Sequence, residues 1–499
     1  YPLRRQRQMC IRDSFRSAYS KGSFRNNDRY EKTILINQIG RVMNTKFFQD
    51  HLKKLNFNSE NEIIKKFTPI ISQDFEKDKI NFSSFWQECE DENKKVKDKK
   101  EKKKIRSLVE VTKKIFLNDY ASNIYNRITD NRNKFIKIDE LVFSANNIVS
   151  HITPSIEQLS IENKKMLKDK EGIETDQGLF LSAVLSNQLE GNHLCHSMLL
   201  PSELALEKQE EFNKTKKVQF DGASIEKLEK HVLVTLENGE YLNAEDERTL
   251  LPLEAAIDLA ILDKDTDIAV LRGEVAKHPK YAGNRTFGAG INLTHLYQGQ
   301  ISFLWYIKRD MGAVNKVFRG LATEYYEPEN SLFPLQEKPW IATLDTFAIG
   351  GGCQYLLVMD HIMAENGSYM TLPARKEGII PGMANLRLWR FTGDRIARQA
   401  IQNGLTIHSN SPDGKLICDE IVEQGKMDES LTKTINAYTN SGVVGSASNR
   451  RAFRIGQEPL DTFRQYMSAY CHDQAYCHFS DALIKNLEYY WDAASRKAK

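Results

Sequence analysis

The chain has 499 residues, 40% of them hydrophobic and 27% charged, the composition of a globular protein too long for one ordinary core, so two or three domains are expected. Its formal net charge of +3 gives no global argument for nucleic acid, and no apolar run approaches the roughly 20 residues needed to span a bilayer. Seven scattered cysteines, an odd number in a chain of this size, point to reduced thiols and a cytoplasmic setting.

Residues 1–14, YPLRRQRQMCIRDS, carry charge without an apolar h-region and resemble the translation of a sequencing adapter, so they are set apart as a non-native tail. From 15 to about 205 glycine and proline are sparse. Apolar residues recur there at three- and four-residue spacing, as in 41–55, 105–125 and 179–200, which predicts a helical N-terminal domain. The lysine-rich run 91–104, DENKKVKDKKEKKK, is interrupted by acids and lacks aromatics, so it reads as a solvated helix or loop and not as a nucleic-acid surface. His193 and His196 have HxxH spacing, but with no acidic motif nearby a packing or surface role is expected. Residues 207–221 are polar and read as a linker.

The periodicity then changes. HVLVTL (231–236) predicts a strand, 237–240 a turn, 246–262 an amphipathic helix and IAVLR (268–272) a second strand. A loop over 273–287 leads into the glycine-rich turn Gly288-Ala289-Gly290-Ile291-Asn292, followed by a helical segment over 301–321. The stretch 338–382 repeats the pattern: a strand over 340–344, the triple glycine Gly350-Gly351-Gly352, and an apolar helix over 353–359. Strand, glycine turn and helix thus recur about every fifty to sixty residues, the mark of a stacked architecture, and 225–425 is expected to be one such core. Beyond it, 393–403 and 411–424 read as short helical units and 426–499 as a helical C-terminal segment. Cys471-His472 and Cys477-His478 have spacing unsuited to a metal knuckle, so no metal ligand set is expected.

A triple glycine alone is usually a flexible or tightly packed turn. Here it removes every Cβ at a strand-to-helix junction, so a ligand can approach the backbone while the first helical N–H groups stay free to donate. Taken with the earlier turn, the N–H groups of Ile291 and Gly351 can converge on one oxygen, an arrangement suited to charge that develops during a reaction.

This pairing, with the residues before Asn243-Ala244 and the Ile380-Pro381-Gly382 turn, resembles the crotonase (enoyl-CoA hydratase/isomerase) superfamily over about 230–425. Hydratases of that family carry one glutamate directly after the GGGC turn and another after the proline that precedes the IPG turn; this chain has Gln354 and Ala374 there. Without that carboxylate pair, hydration of a double bond is poorly supported. The closer resemblance is to the branch of cofactor-independent dioxygenases acting on 3,5-dihydroxyphenylacetyl-CoA. It rests on LNAED (242–246), HPKYAGNR (278–285), GAGINLTHLYQGQISFLWY (288–306), FAIGGGCQ (347–354), LPARKEGIIPGMANLRL (372–388), NRRAFRIGQEPLD (449–461) and QAYCHFS (474–480).

The resemblance implies an α/β protein: a crotonase-type stacked ββα superhelix core with a helical N-terminal domain and a helical C-terminal segment. It implies oxyanion-hole N–H groups from Ile291 and Gly351, a hydrogen bond from Gln354 near the reacting centre, contacts of Glu245 and Arg309 with ring hydroxyls, and an apolar oxygen pocket lined by Ile379 and Ile380. From the residues alone, Glu245 is an early-helix acid favoured by the helix dipole and Arg309 an ordinary amphipathic-helix cation. The expected reaction uses oxygen and an arylacetyl-CoA with no metal, flavin or other cofactor, and the expected partner is the acyl-CoA itself, with neither nucleic acid nor membrane. The family also implies homo-oligomers, trimers or dimers of trimers. Two other readings stay open: a hydratase, isomerase or thioester hydrolase using another base, and a non-catalytic acyl-CoA-binding protein.

Overall fold

The computed structural model describes residues 69, 71–326, 336–440 and 444–496. The tail at 1–14, the start of the helical segment and the helix expected over 41–55 lie outside the described residues. Among the described residues seven α-helices come first: α1 Phe75–Lys95, α2 Lys99–Ile128, α3 Ile138–Ile148, α4 Ile156–Glu162, α5 Thr175–Ser186, α6 Gln188–Leu199 and α7 Glu203–Thr215. Asp98 caps α2 by accepting from the amides of Lys100 and Glu101, and α2 buries Val109, Phe116, Leu117, Tyr120 and Ile124 along one face. The lysine-rich run forms the exposed end of α1 and start of α2, with Lys94 and Lys95 paired to Asp91 and Glu92 one turn earlier.

Two expectations change here. The helix expected over 179–200 is two helices, because Ser186 Oγ and Asn187 Nδ2 both donate to the Ala183 carbonyl and Asn187 adopts extended backbone. The expected linker at 207–221 is instead α7 and a strand. Ser202 caps α7, and buried Ala205 and Phe212 anchor its inner face, while its polar residues face outward.

The core sheet has seven strands in the order β1-β2-β3-β4-β5-β7-β10, namely Lys217–Gln219, Ala223–Lys227, His231–Leu236, Ile268–Gly273, Trp340–Leu344, His361–Glu365 and Glu420–Val422. The first three pair antiparallel and the rest parallel. Every residue of β4 and β5 is buried, as expected of parallel strands covered on both faces. A second sheet, β6 Phe347–Ile349, β8 Tyr369–Thr371 and β9 Ile407–His408, stacks beside it. The segment 411–424, expected as helical, carries only one short turn at Gly414–Leu416 and then β10. Three residues are too few for a local period to identify; ladder pairing with β7 makes them a strand.

Helices fill the crossovers: α8 Glu247–Leu262, α9 Leu293–Tyr297, α10 Phe303–Met311, α11 Ala313–Arg319, α12 Gly351–Leu356, α13 Ala374–Glu377, α14 Ala384–Arg398 and α15 Met427–Asn440. The C-terminal helices are α16 Val444–Gln457, α17 Leu460–His478 and α18 Asp481–Trp491. One buried apolar cluster runs from Phe82 and Phe116 through Leu271 and Trp340 to Phe463 and Met467. The approach of α5 to α17 is so close that a Cβ on Gly178 would lie 2.7 Å from both the Ala475 Cβ and the Cys471 carbonyl. That contact fixes α17 beneath the site described next.

Candidate active site

Three chain segments from successive repeats run side by side where the two layers meet. The Glu245 amide donates to the Gly290 carbonyl at 2.6 Å and the Asn292 amide to the Glu245 carbonyl at 2.7 Å. On the other side the Ile349 amide donates to the Gly288 carbonyl at 2.9 Å. Parallel pairing through residues 290 and 292 turns the Ile291 amide the opposite way. The Ile291 and Gly351 amides have no acceptor among the described residues. The turns touch so closely that a Cβ on Gly290, where φ is +77°, would sit 3.0 Å from the Gly351 nitrogen. Asp246 holds the assembly from behind: it caps α8 and accepts from Asn292 Nδ2 at 3.1 Å.

Arg309 organises the side chains. Ser302 caps α10, which carries Arg309 inward on its buried face. Its guanidinium donates through Nε to Glu245 Oε2 and through Nη2 to Glu245 Oε1, both at 2.8 Å. Nη2 also donates to the Gly351 carbonyl at 2.9 Å, and Nη1 to Asp310 Oδ1 at 3.0 Å and to Gln354 Oε1. The Tyr355 ring lies 4.7 Å below. Burial alone would weaken the guanidinium's charge, but Glu245 and Asp310 outweigh it and hold its pKa above the ordinary value.

Six of the seven residues singled out from the sequence, Ile291, Arg309, Gly351, Gln354, Ile379 and Ile380, line one cavity of about 30 Å³. The seventh, Glu245, is not among its lining residues and is held by Arg309. Each of its oxygens takes one arginine bond and keeps a lone pair. The Ile380 amide donates to Gln474 Oε1 at 3.0 Å and the Met383 amide to Tyr466 Oη at 2.7 Å, so α17 holds the IPG turn in place.

Sequence reasoning missed Asp310, Glu377 and Tyr470, which line the same cavity. Burial pushes the Asp310 carboxyl up to about 6 despite its arginine neighbour, and burial alone pushes Glu377 up to about 7. Asp310 adjoins Arg309, and Glu377 lies within the quoted LPARKEGIIPG segment, so both were in view; Tyr470 has no local signal. His193 and His196 are packing residues, Nδ1 of the first at 2.8 Å from Tyr125 Oη and Nε2 of the second at 2.8 Å from the Thr323 carbonyl. Among the described residues no group of three or more His, Cys, Asp or Glu side chains is placed to hold a metal ion.

The enoyl-CoA hydratase/isomerase family model matches residues 230–454. The chain is 40% identical over 361 residues to the (3,5-dihydroxyphenyl)acetyl-CoA 1,2-dioxygenase of Amycolatopsis orientalis, a match covering 72% of this chain and 82% of that one. The chain belongs to the crotonase family. The short-chain-enoyl-CoA hydratase of Clostridium acetobutylicum is 25% identical over 248 residues, covering 49% of this chain and 86% of that enzyme. A crystal structure of an enoyl-CoA hydratase/isomerase from Xanthobacter autotrophicus superposes with a TM-score of 0.45 at 18% identity, covering 56% of this chain and all of that one. The α/β crotonase core, with helical segments before and after it, is as expected from the sequence. No helix among the described residues is long and apolar enough to cross a membrane.

Proposed function

We propose that this protein is a metal- and flavin-independent dioxygenase that converts an arylacetyl-CoA, with 3,5-dihydroxyphenylacetyl-CoA the leading candidate, and oxygen into an arylglyoxylate and coenzyme A. The observation that carries the reading is the Arg309 network. It ties Glu245, Gln354 and the Gly351 turn into one buried unit beside two amides that have no acceptor among the described residues. The identity with the Amycolatopsis enzyme supports the same reading, as do Gln354 and Ala374 in place of the hydratase carboxylates.

In this reading the thioester oxygen sits between the Ile291 and Gly351 amides. The Cα proton is acidified by the carbonyl and the aryl ring. As it leaves, its electron pair passes into an enolate whose oxygen the two donors stabilise, each by about 3–4 kcal/mol. The enolate carbon reacts with oxygen to give a peroxide, which attacks the thioester carbonyl and expels the thiolate. Loss of the second Cα proton breaks the O–O bond and leaves the arylglyoxylate. Arg309 and Glu245 face the ring hydroxyls, Gln354 hydrogen-bonds near the reacting carbon, and Ile379 with Ile380 keep the oxygen site apolar.

The test is oxygen uptake by chelator-treated protein given 3,5-dihydroxyphenylacetyl-CoA, with thiol release followed in parallel. Equal consumption of oxygen and release of coenzyme A are expected. Thiol release without oxygen uptake would make the protein a thioester hydrolase, and silence in both channels with retained binding would make it an acyl-CoA-binding protein.

A further inference from the structure

Helix α13 is a single turn whose residues divide sharply. Arg375 and Lys376 point to solvent, whereas Glu377 is only 7% exposed and lines the cavity with Ile291, Gly351 and Gln354. The turn is clamped from outside by α18: Asn486 Nδ2 donates to the Arg375 carbonyl, and Gly378, at φ +87°, packs against Leu483. Glu377 therefore sits on a fixed support directed at the reacting volume.

Its chemical situation differs from that of the two neighbouring carboxylates. Glu245 and Asp310 are both tied to Arg309. The Glu377 carboxyl has no hydrogen bond or ion pair among the described residues. Tyr306 and Cys353, the ionisable groups that sense it, are both buried, with pKa values pushed up so that they stay neutral. His478, behind Tyr306, is held neutral by burial, with its pKa down at about 3. Arg309, Asp310 and Tyr470 complete the polar lining. A buried carboxyl without a partner is costly to a fold and is characteristic of a site that uses it.

We infer that Glu377 is the base that takes the Cα proton of the substrate, an inference that rests on the arylacetyl-CoA reading above. Its carboxylate accepts the proton as the C–H electron pair moves into the enolate. The proton then passes to the departing thiolate sulfur, which restores the carboxylate. Glu377 then accepts the second Cα proton as the O–O bond breaks, and releases it to solvent. Burial supports the assignment, because it brings the carboxyl to about 7, where a base is half ionised at neutral pH and strong enough to act.

The experiment is exchange of the Cα protons of 3,5-dihydroxyphenylacetyl-CoA with deuterated buffer, under nitrogen, followed by mass spectrometry. Wild-type protein should exchange with a rate that rises through an apparent pKa near 7. Glu377→Gln should exchange at least about 100-fold more slowly while keeping the thermal midpoint and acyl-CoA affinity of the wild type. Glu377→Asp, which retains the carboxyl one methylene back, should keep measurable exchange. Wild-type exchange rates in Glu377→Gln, loss of exchange in Asp310→Asn but not in Glu377→Gln, or no exchange in the wild type would each overturn the assignment. Exchange that depends on Glu377 without oxygen uptake would leave the base in place and remove the dioxygenase reading. Wild-type oxygen uptake by Glu377→Gln would do the reverse.

Discussion

Arg309 and Glu245 meet in a two-point ion pair, Nε to Oε2 and Nη2 to Oε1, each at 2.8 Å, with both side chains almost fully buried. The same guanidinium reaches Asp310, Gln354 and the Gly351 carbonyl, so one side chain fixes one amide oxygen, one backbone carbonyl and two carboxylates. A planar five-donor fork can do this; an ammonium, which donates from a point, cannot.

Arg309→Lys should therefore lower kcat/KM by at least about 100-fold, since misplacement of a positioning group by about 1 Å has that effect. Arg309→Met, which leaves Glu245 and Asp310 buried without a cation, should destabilise the fold by about 3–5 kcal/mol. Urea denaturation of the two variants separates these effects.

Gly351→Ala tests the packing against this pair. A Cβ there would lie 2.7 Å from Glu245 Oε1 and 3.0 Å from Arg309 Nη2. The side chains have to move while the backbone stays in ordinary helical conformation, so kcat should fall by about 100-fold with little change in thermal midpoint. Gly290→Ala combines positive φ with contacts of 2.9 Å to the Ile349 carbonyl and 3.0 Å to the Gly351 nitrogen. It should lose both activity and stability.

Glu458 is fully buried between Arg319, Arg387 and Arg390, with contacts of 2.9–3.1 Å. Burial would raise its pKa, but Arg387, Arg319 and Arg390 outweigh burial and hold it down to about 2, against an ordinary value of 4.5. A carboxyl depressed on folding adds stability above its unfolded pKa, and that contribution is lost as pH falls through the folded value. The fold should thus lose about 3 kcal/mol between roughly pH 4.5 and 2. Glu458→Gln should remove that part of the pH dependence and lower stability at pH 7 by a similar amount, as read by denaturant titration at several pH values.

Tyr466→Phe removes the acceptor of the Met383 amide and the donor to Asn385 Oδ1, at 2.7 and 2.6 Å. An unsatisfied buried amide costs about 1–3 kcal/mol, and the IPG turn should loosen. Reduced kcat together with faster hydrogen exchange at Ile380–Ala384, and unchanged exchange in β4 and β5, is the expected pattern.

Much of the core was legible because its signals are local. The apolar run of β3, the wholly buried β4 and β5, and the amphipathic period of α8 follow from side-chain alternation and helical spacing. The two glycine turns mark places where the backbone must come close to something. The break at Asn187, helix α7 and strand β10 were not legible: one is decided by two side chains that donate to the Ala183 carbonyl, one by a single anchored face, and one by pairing with a strand far away in sequence.

The sequence by itself determined the α/β repeat, the two glycine turns and the types of residue beside them, since these depend on backbone freedom and on the period of apolar residues. Only the tertiary structure decided which charges meet. That Arg309 takes up Glu245 and Asp310 while Glu377 is left without a partner among the described residues depends on how the repeats stack. Tyr470, Gln474 and Tyr466 reach the IPG turn because α17 docks against Gly178. Ion pairing and burial fall off within a few ångströms, whereas Glu245, Arg309, Glu377 and the α17 residues lie tens to hundreds of positions apart. Their chemistry is set by distances that no local period encodes.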